Sequence, residues 1–204
     1  MTAKNIQFTK IEIIIAKYLF KHYKDRYNAR QLAGALAINH AHANKLCNTL
    51  SDKQLLVKEE IGNSIYYSYN YGDNFAIKFI EYLLSLEERE FPKWLAVLSH
   101  SLKRFAPCIK LGLVFGSSIK NKDFNDIDVL LVYDNKASNE IKKIKAEIRK
   151  SELIEKPIRY VDIVEKDILS NKEDKVFYSI MSDNLIFHNP EKYVEVIIKS
   201  WKSS

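Results

Sequence analysis

An apolar run, Leu113-Val114-Phe115, ends at Gly116-Ser117-Ser118, and a second apolar run from Ile127 to Val132 carries carboxylates at Asp126 and Asp128. A β-strand alternates faces with a period of two, so Asp126 and Asp128 point one way while Ile127 and Val129 point the other. Two carboxylates on one face repel each other unless a cation lies between them. Hard divalent cations such as Mg²⁺ bind oxygen ligands of this kind together with phosphates. The Gly-Ser turn adds complementary chemistry: glycine lets the backbone approach a phosphate closely, and serine supplies a hydroxyl donor.

A third piece lies downstream. Ile158-Arg159-Tyr160-Val161-Asp162-Ile163-Val164 reads as a further strand with one acid inside it. An Asp in a β-branched run is disfavoured by propensity and costly to bury unpartnered. A metal shared with Asp126 and Asp128 is the expected reason for it.

Together these residues resemble the nucleotidyltransferase superfamily typified by DNA polymerase β, and in particular its minimal members. The shared pattern is an apolar residue, Gly-Ser, a loop, Asp-apolar-Asp, and a third Asp on a later strand. The resemblance covers roughly residues 107 to 190. It implies that Asp126 and Asp128 ligate two Mg²⁺ (or Mn²⁺) ions and that Asp162 completes the metal site. It also implies that Gly116, Ser117 and Ser118 hold a nucleoside triphosphate, with Lys120 reaching its phosphates. The chain departs from the pattern in a slightly short loop, in Asn121 where relatives often have Gly, and in Asn125 where Ser is common.

The N-terminal third carries different information. Residues 1–72 hold ten Lys/Arg and five Asp/Glu, a net of +5, which leaves +1 of the total +6 for residues 73–204. Such asymmetry suggests an anionic partner for this part. The periodicity predicts a helix over residues 8–24, a second helix beginning at Asn28, and a third capped by Asn39 and running to Leu50. Ala43, Cys47 and Leu50 are its expected inward residues. Two alternating strands then flank Gly62-Asn63-Ser64. Three helices followed by a hairpin resemble a winged helix-turn-helix. That resemblance implies a third helix presenting His40, His42, Asn44, Lys45 and Asn48 to DNA, and a wing offering Lys58, Asn63 and Ser64. Lys45 is the only basic residue in the middle of that helix, so the bidentate Arg–guanine contact is not on offer there. Use of this surface for protein contact is the competing reading.

Residues 73–106 read as a helical connector in two pieces, one striped by Phe75, Phe79, Leu83 and Leu86, the other by Trp94, Leu95, Leu98, Leu102 and Phe105. Pro92 suits the first turn of the second piece. The apolar surface serves domain packing or a homodimer. After Pro107 the expected order is strand 109–115, strand 127–133, helix 137–152, strand 158–164, helix 173–182, a short strand at Leu185-Ile186-Phe187, and a helix after Pro190.

The expected fold class is therefore α+β, with a winged helix-turn-helix at 1–72, a helical connector at 73–106 and a mixed α/β nucleotidyltransferase domain at 107–204. No apolar run reaches the roughly 18 residues of a membrane span. The N-terminus lacks an apolar secretory core, and Cys47 and Cys108 have no metal-ligand spacing, which reads as cytoplasmic with free thiols. The leading functional expectation is a DNA-binding protein that transfers a nucleotide monophosphate from an NTP with Mg²⁺ and releases pyrophosphate. The alternative is a transcriptional regulator, or an antitoxin with a toxin partner, whose nucleotidyltransferase domain is sensory or inactive. The acceptor and the preferred NTP are not specified by the sequence.

Overall fold

A computed structural model describes residues 7–150 and 156–202 as a mixed α+β protein with two small sheets. The chain divides into two compact units, with the boundary between Leu83 and Leu84.

The first unit is built from α1 (Lys10–Lys21), β1 (Tyr27–Asn28), α2 (Ala29–Leu36), α3 (His40–Asp52), β2 (Leu56–Ile61), β3 (Ser64–Tyr69) and most of α4 (Asn74–Ser85). Local chemistry starts the first three helices. Thr9 and Glu12 form a reciprocal capping box at α1, and Asn28 and Gln31 form another at α2. Asn39 caps α3 by accepting from the N–H groups of Ala41 and His42. Gly62 turns the hairpin at φ +60°, a conformation glycine adopts without steric cost. The sheet runs β1-β3-β2, all antiparallel. Its core gathers Ile15, Leu19 and Phe20 from α1, Leu32 from α2, and Ala43, Leu46, Cys47 and Leu50 from α3, closed by Tyr67 and Tyr69.

The second unit holds α5 (Lys93–Leu102), β4 (Leu111–Phe115), α6 (Ser117–Lys120), β5 (Ile127–Tyr133), α7 (Ser138–Arg149), β6 (Ile158–Val164), α8 (Lys175–Ser182), β7 (Asn184–His188) and α9 (Pro190–Lys202). The sheet order is β6-β5-β4-β7; β5 and β6 are parallel, and the other pairs are antiparallel. One face carries Val114, Val129, Leu131 and Phe187, covered by Leu95, Leu98, Leu102 and Phe105 and by Ile141, Ile144 and Ile148 of α7. Gly112 is required there: a Cβ would lie 2.6–2.8 Å from atoms of the Phe187 ring. By register the other face carries Leu111, Leu113, Leu130, Val132 and Ile186. Buried residues of α8 and α9 (Phe177, Ile180, Met181, Tyr193 and Ile197) complete this second core.

The segment 73–106 is not a separate piece. Residues 74–83 belong to the first unit, and α5 with its flanking turns packs inside the second. The α4 stripe is also rotated from its expected phase: Ala76, Ile80, Leu83 and Leu84 are buried, while Phe75 is exposed. The expected last residues of the helix over 137–152 lie outside the described residues.

Candidate functional site

At one end of the four-stranded sheet, the C-terminus of β4 meets the N-termini of β5 and β6. Gly116 joins β4 to α6 at φ +81° and ψ −154°. This is backbone that only glycine occupies freely. A Cβ there would stand 3.2 Å from Asp128 Cγ and 3.4 Å from its Cβ, so the glycine backbone lies directly against the Asp128 side chain. Phe115 pairs with Asp128 across the β4–β5 ladder.

Asp126 and Asp128 are brought together, as the strand alternation requires. Burial is the main cause raising the Asp128 carboxyl above its ordinary value; the charge of Asp126 adds to the rise, and Arg159 opposes it. Asp126 is largely buried and accepts a 2.9 Å ion-pair contact from Arg159 Nε.

Asp162 is not part of this group. The β5–β6 register pairs Asp128 with Arg159 and Leu131 with Asp162. Paired residues in a ladder share a face, so Arg159 projects with Asp128 while Asp162 projects on the α7 side. Two further observations agree. Lys145 of α7 donates to both Asp162 oxygens at 2.6 Å. Tyr133 and Tyr160 have pKa values raised chiefly by burial, and the charge of Asp162 adds to the rise in both. The acid in this apolar strand is partnered by Lys145. Among the described residues no three His, Cys, Asp or Glu side chains converge as a metal-binding group. The donor set therefore does not fit the two-metal centre expected from Asp126, Asp128 and Asp162.

The expected phosphate-binding residues fare unequally. Ser117 is exposed at the turn. Ser118 is withdrawn: it is buried, and its hydroxyl donates to the Phe115 carbonyl at 3.3 Å. Lys120 is half-exposed and pairs with Asp183 at 2.8 Å. Arg159 is the residue that sequence reasoning missed. Its position opposite Asp162 in the two-residue period of β6 was readable, but which face meets Asp126 depends on a register that only folding sets.

In the first unit, His40, His42, Asn44 and Lys45 are exposed on α3, and Asn48 is half-buried. The Tyr67 hydroxyl lies 3.2 Å from Asn44 Oδ1 and 3.4 Å from Asn48 Oδ1. A groove of about 390 Å³ brings His40, Asn44, Asn63 and Ser64 together with Arg30 and Ile65. His42, Lys45, Asn48 and Lys58 lie outside its lining. Lys58 is exposed on β2, on the face it shares with its ladder partner Tyr67. Arg30, exposed in the first turn of α2, was not anticipated; it sits two residues after a cap that the sequence did reveal. No helix among the described residues is long and apolar enough to cross a membrane. No family model, curated protein or solved structure matches the chain.

Proposed function

We propose that the chain is a DNA-binding regulator whose second unit carries a nucleotidyltransferase-like site that binds a nucleoside triphosphate without transferring it. The observation that carries this reading is the parity of β6, which sets Arg159 rather than Asp162 beside Asp128. Two-metal transfer depends on ions held against both the attacking and the leaving oxygens. Two carboxylates and a guanidinium do not provide that set. What remains suits phosphate: a glycine-lined turn, the exposed Ser117 hydroxyl, and the cations Lys120 and Arg159.

DNA binding by the first unit is supported by its +5 charge, by the order three helices then hairpin, and by the polar groove holding Arg30, His40, Asn44, Asn63 and Ser64. A second reading, transfer of a nucleotide monophosphate with Mg²⁺ or Mn²⁺, is favoured by one observation: Gly116 is pressed against Asp128 while Asp126 stands beside it.

One experiment separates the two. Fluorescence anisotropy of labelled promoter DNA is measured with and without each NTP, and the same protein is incubated with α-³²P-labelled NTPs, crude RNA and cell extract. The regulator reading expects a nucleotide-dependent change in DNA affinity and no label transfer. Transfer by the native chain that vanishes in Asp126→Asn/Asp128→Asn overturns it in favour of the enzyme.

A further inference from the structure

The space where two carboxylates need a cation is already served by a side chain. Asp128 and Arg159 are ladder partners on parallel strands and project from one face. Arg159 Nε reaches Asp126 Oδ2 at 2.9 Å. The Asp126 side chain is 16% exposed, and the Arg159 side chain, 73% exposed, reaches in to it from solvent. The contact to Asp126 is made by Nε, on a guanidinium whose side chain is otherwise largely open to solvent. That fork is the geometry that recognises phosphate oxygens in pairs.

We propose that Arg159 is the resident cation of this site, standing in for a divalent metal, so that the site takes a nucleotide polyphosphate free of metal. The ligand part of this proposal rests on the nucleotide-binding reading above; the cation part does not. A guanidinium on Asp126 repels an incoming divalent ion and occupies one of its oxygen ligands. The same group, largely exposed, offers its solvent-facing N–H donors to an anion. Arg159 is thereby a specificity-determining residue, choosing an anionic ligand over a metal ion.

The test titrates Mn²⁺ into the full chain, followed by the loss of the free-ion electron paramagnetic resonance signal. Native protein, Arg159→Ala, Arg159→Asp and Asp162→Asn are compared. Arg159→Asp sets a third carboxylate on the face of Asp126 and Asp128 and is expected to bind Mn²⁺ at least about tenfold more tightly than the native chain, with Arg159→Ala between them. Asp162→Asn is expected to match the native chain. Circular dichroism checks that each variant is folded. Native binding of Mn²⁺ as tight as that of Arg159→Asp overturns the proposal. In a second arm, ATP binding is measured by calorimetry in EDTA and in Mg²⁺. Binding in EDTA that disappears in Arg159→Ala supports the metal-free ligand, and binding that requires Mg²⁺ refutes it. Absence of ATP binding in both buffers, with the Mn²⁺ order intact, refutes the nucleotide reading and upholds Arg159 as the cation.

Discussion

Replacing Gly116 by alanine probes the junction on which the site is built. At φ +81° and ψ −154° an L-residue is strained, with a penalty of roughly 1–3 kcal/mol. The added methyl brings a second penalty, because it would sit 3.2 Å from Asp128 Cγ and closer still to Oδ2. Overpacking of this kind costs roughly 1–3 kcal/mol. Asp128 retreats little, since its backbone is fixed in the ladder between β4 and β6. The expected loss is therefore about 2–6 kcal/mol. Urea unfolding followed by tryptophan fluorescence measures it, and the signal is local: Trp94 and Trp201 both belong to the second unit. A double-mutant cycle then divides the loss. In an Asp128→Ala background the clash is relieved and only the backbone strain of about 1–3 kcal/mol remains. An unchanged stability in Gly116→Ala, or the same loss in both backgrounds, would refute the reasoning.

Four other outcomes are expected. Asp128 has a raised pKa, so its contribution to stability is present below the ordinary value of 3.8 and lost as pH rises through the folded value. Asp128→Asn is therefore more stable than the native chain at pH 7 in urea melts, with the gain shrinking as pH falls toward 3.8. Asp162→Asn gives up the partly exposed Lys145 pair, loses about 1 kcal/mol in the same melts, and leaves nucleotide binding unchanged. Glu12→Ala removes both a capping partner and the buried acceptor for Lys53, costing roughly 2–4 kcal/mol. That loss belongs to the first unit, visible by circular dichroism and silent in tryptophan fluorescence. Substituting Arg30, Lys45 and Lys58 together by alanine lowers the slope of log affinity against log salt on DNA by about one for each phosphate left unneutralised. An unchanged slope assigns this surface to something other than phosphate.

Local features were legible in the sequence where local chemistry decides. Asn28 and Asn39 were readable as helix starts because each side chain satisfies N–H groups within three residues. Strands β5 and β6 were readable to the residue from their apolar runs. What escaped depends on long-range pairing. The lone acid in β6 correctly signalled a need for a partner, but the partner is Lys145, seventeen residues back on a helix. Moving β6 by one residue against β5 would exchange Arg159 and Asp162 between faces, and no short-range signal sets that register. The rotated stripe of α4 has the same cause: Phe75, Phe79 and Leu83 follow a helical period, yet the neighbours actually present select Ala76 and Ile80 for the interior.

The buried Tyr67 hydroxyl has a consequence for α3. It has one proton and lies nearer the Asn44 amide oxygen, at 3.2 Å, than that of Asn48, at 3.4 Å, so its donation favours an inward-turned Asn44 oxygen. The face that Asn44 shows to solvent is then its NH₂ group. Pairing with an adenine edge uses the oxygen and the nitrogen of one amide together. Under the DNA-binding proposal, an Asn44 whose oxygen faces Tyr67 offers its NH₂ donors outward, matched to guanine O6 and N7, thymine O4 or a phosphate. A buried residue of the sheet thus biases the hydrogen-bonding polarity of an exposed helix position through a single hydroxyl.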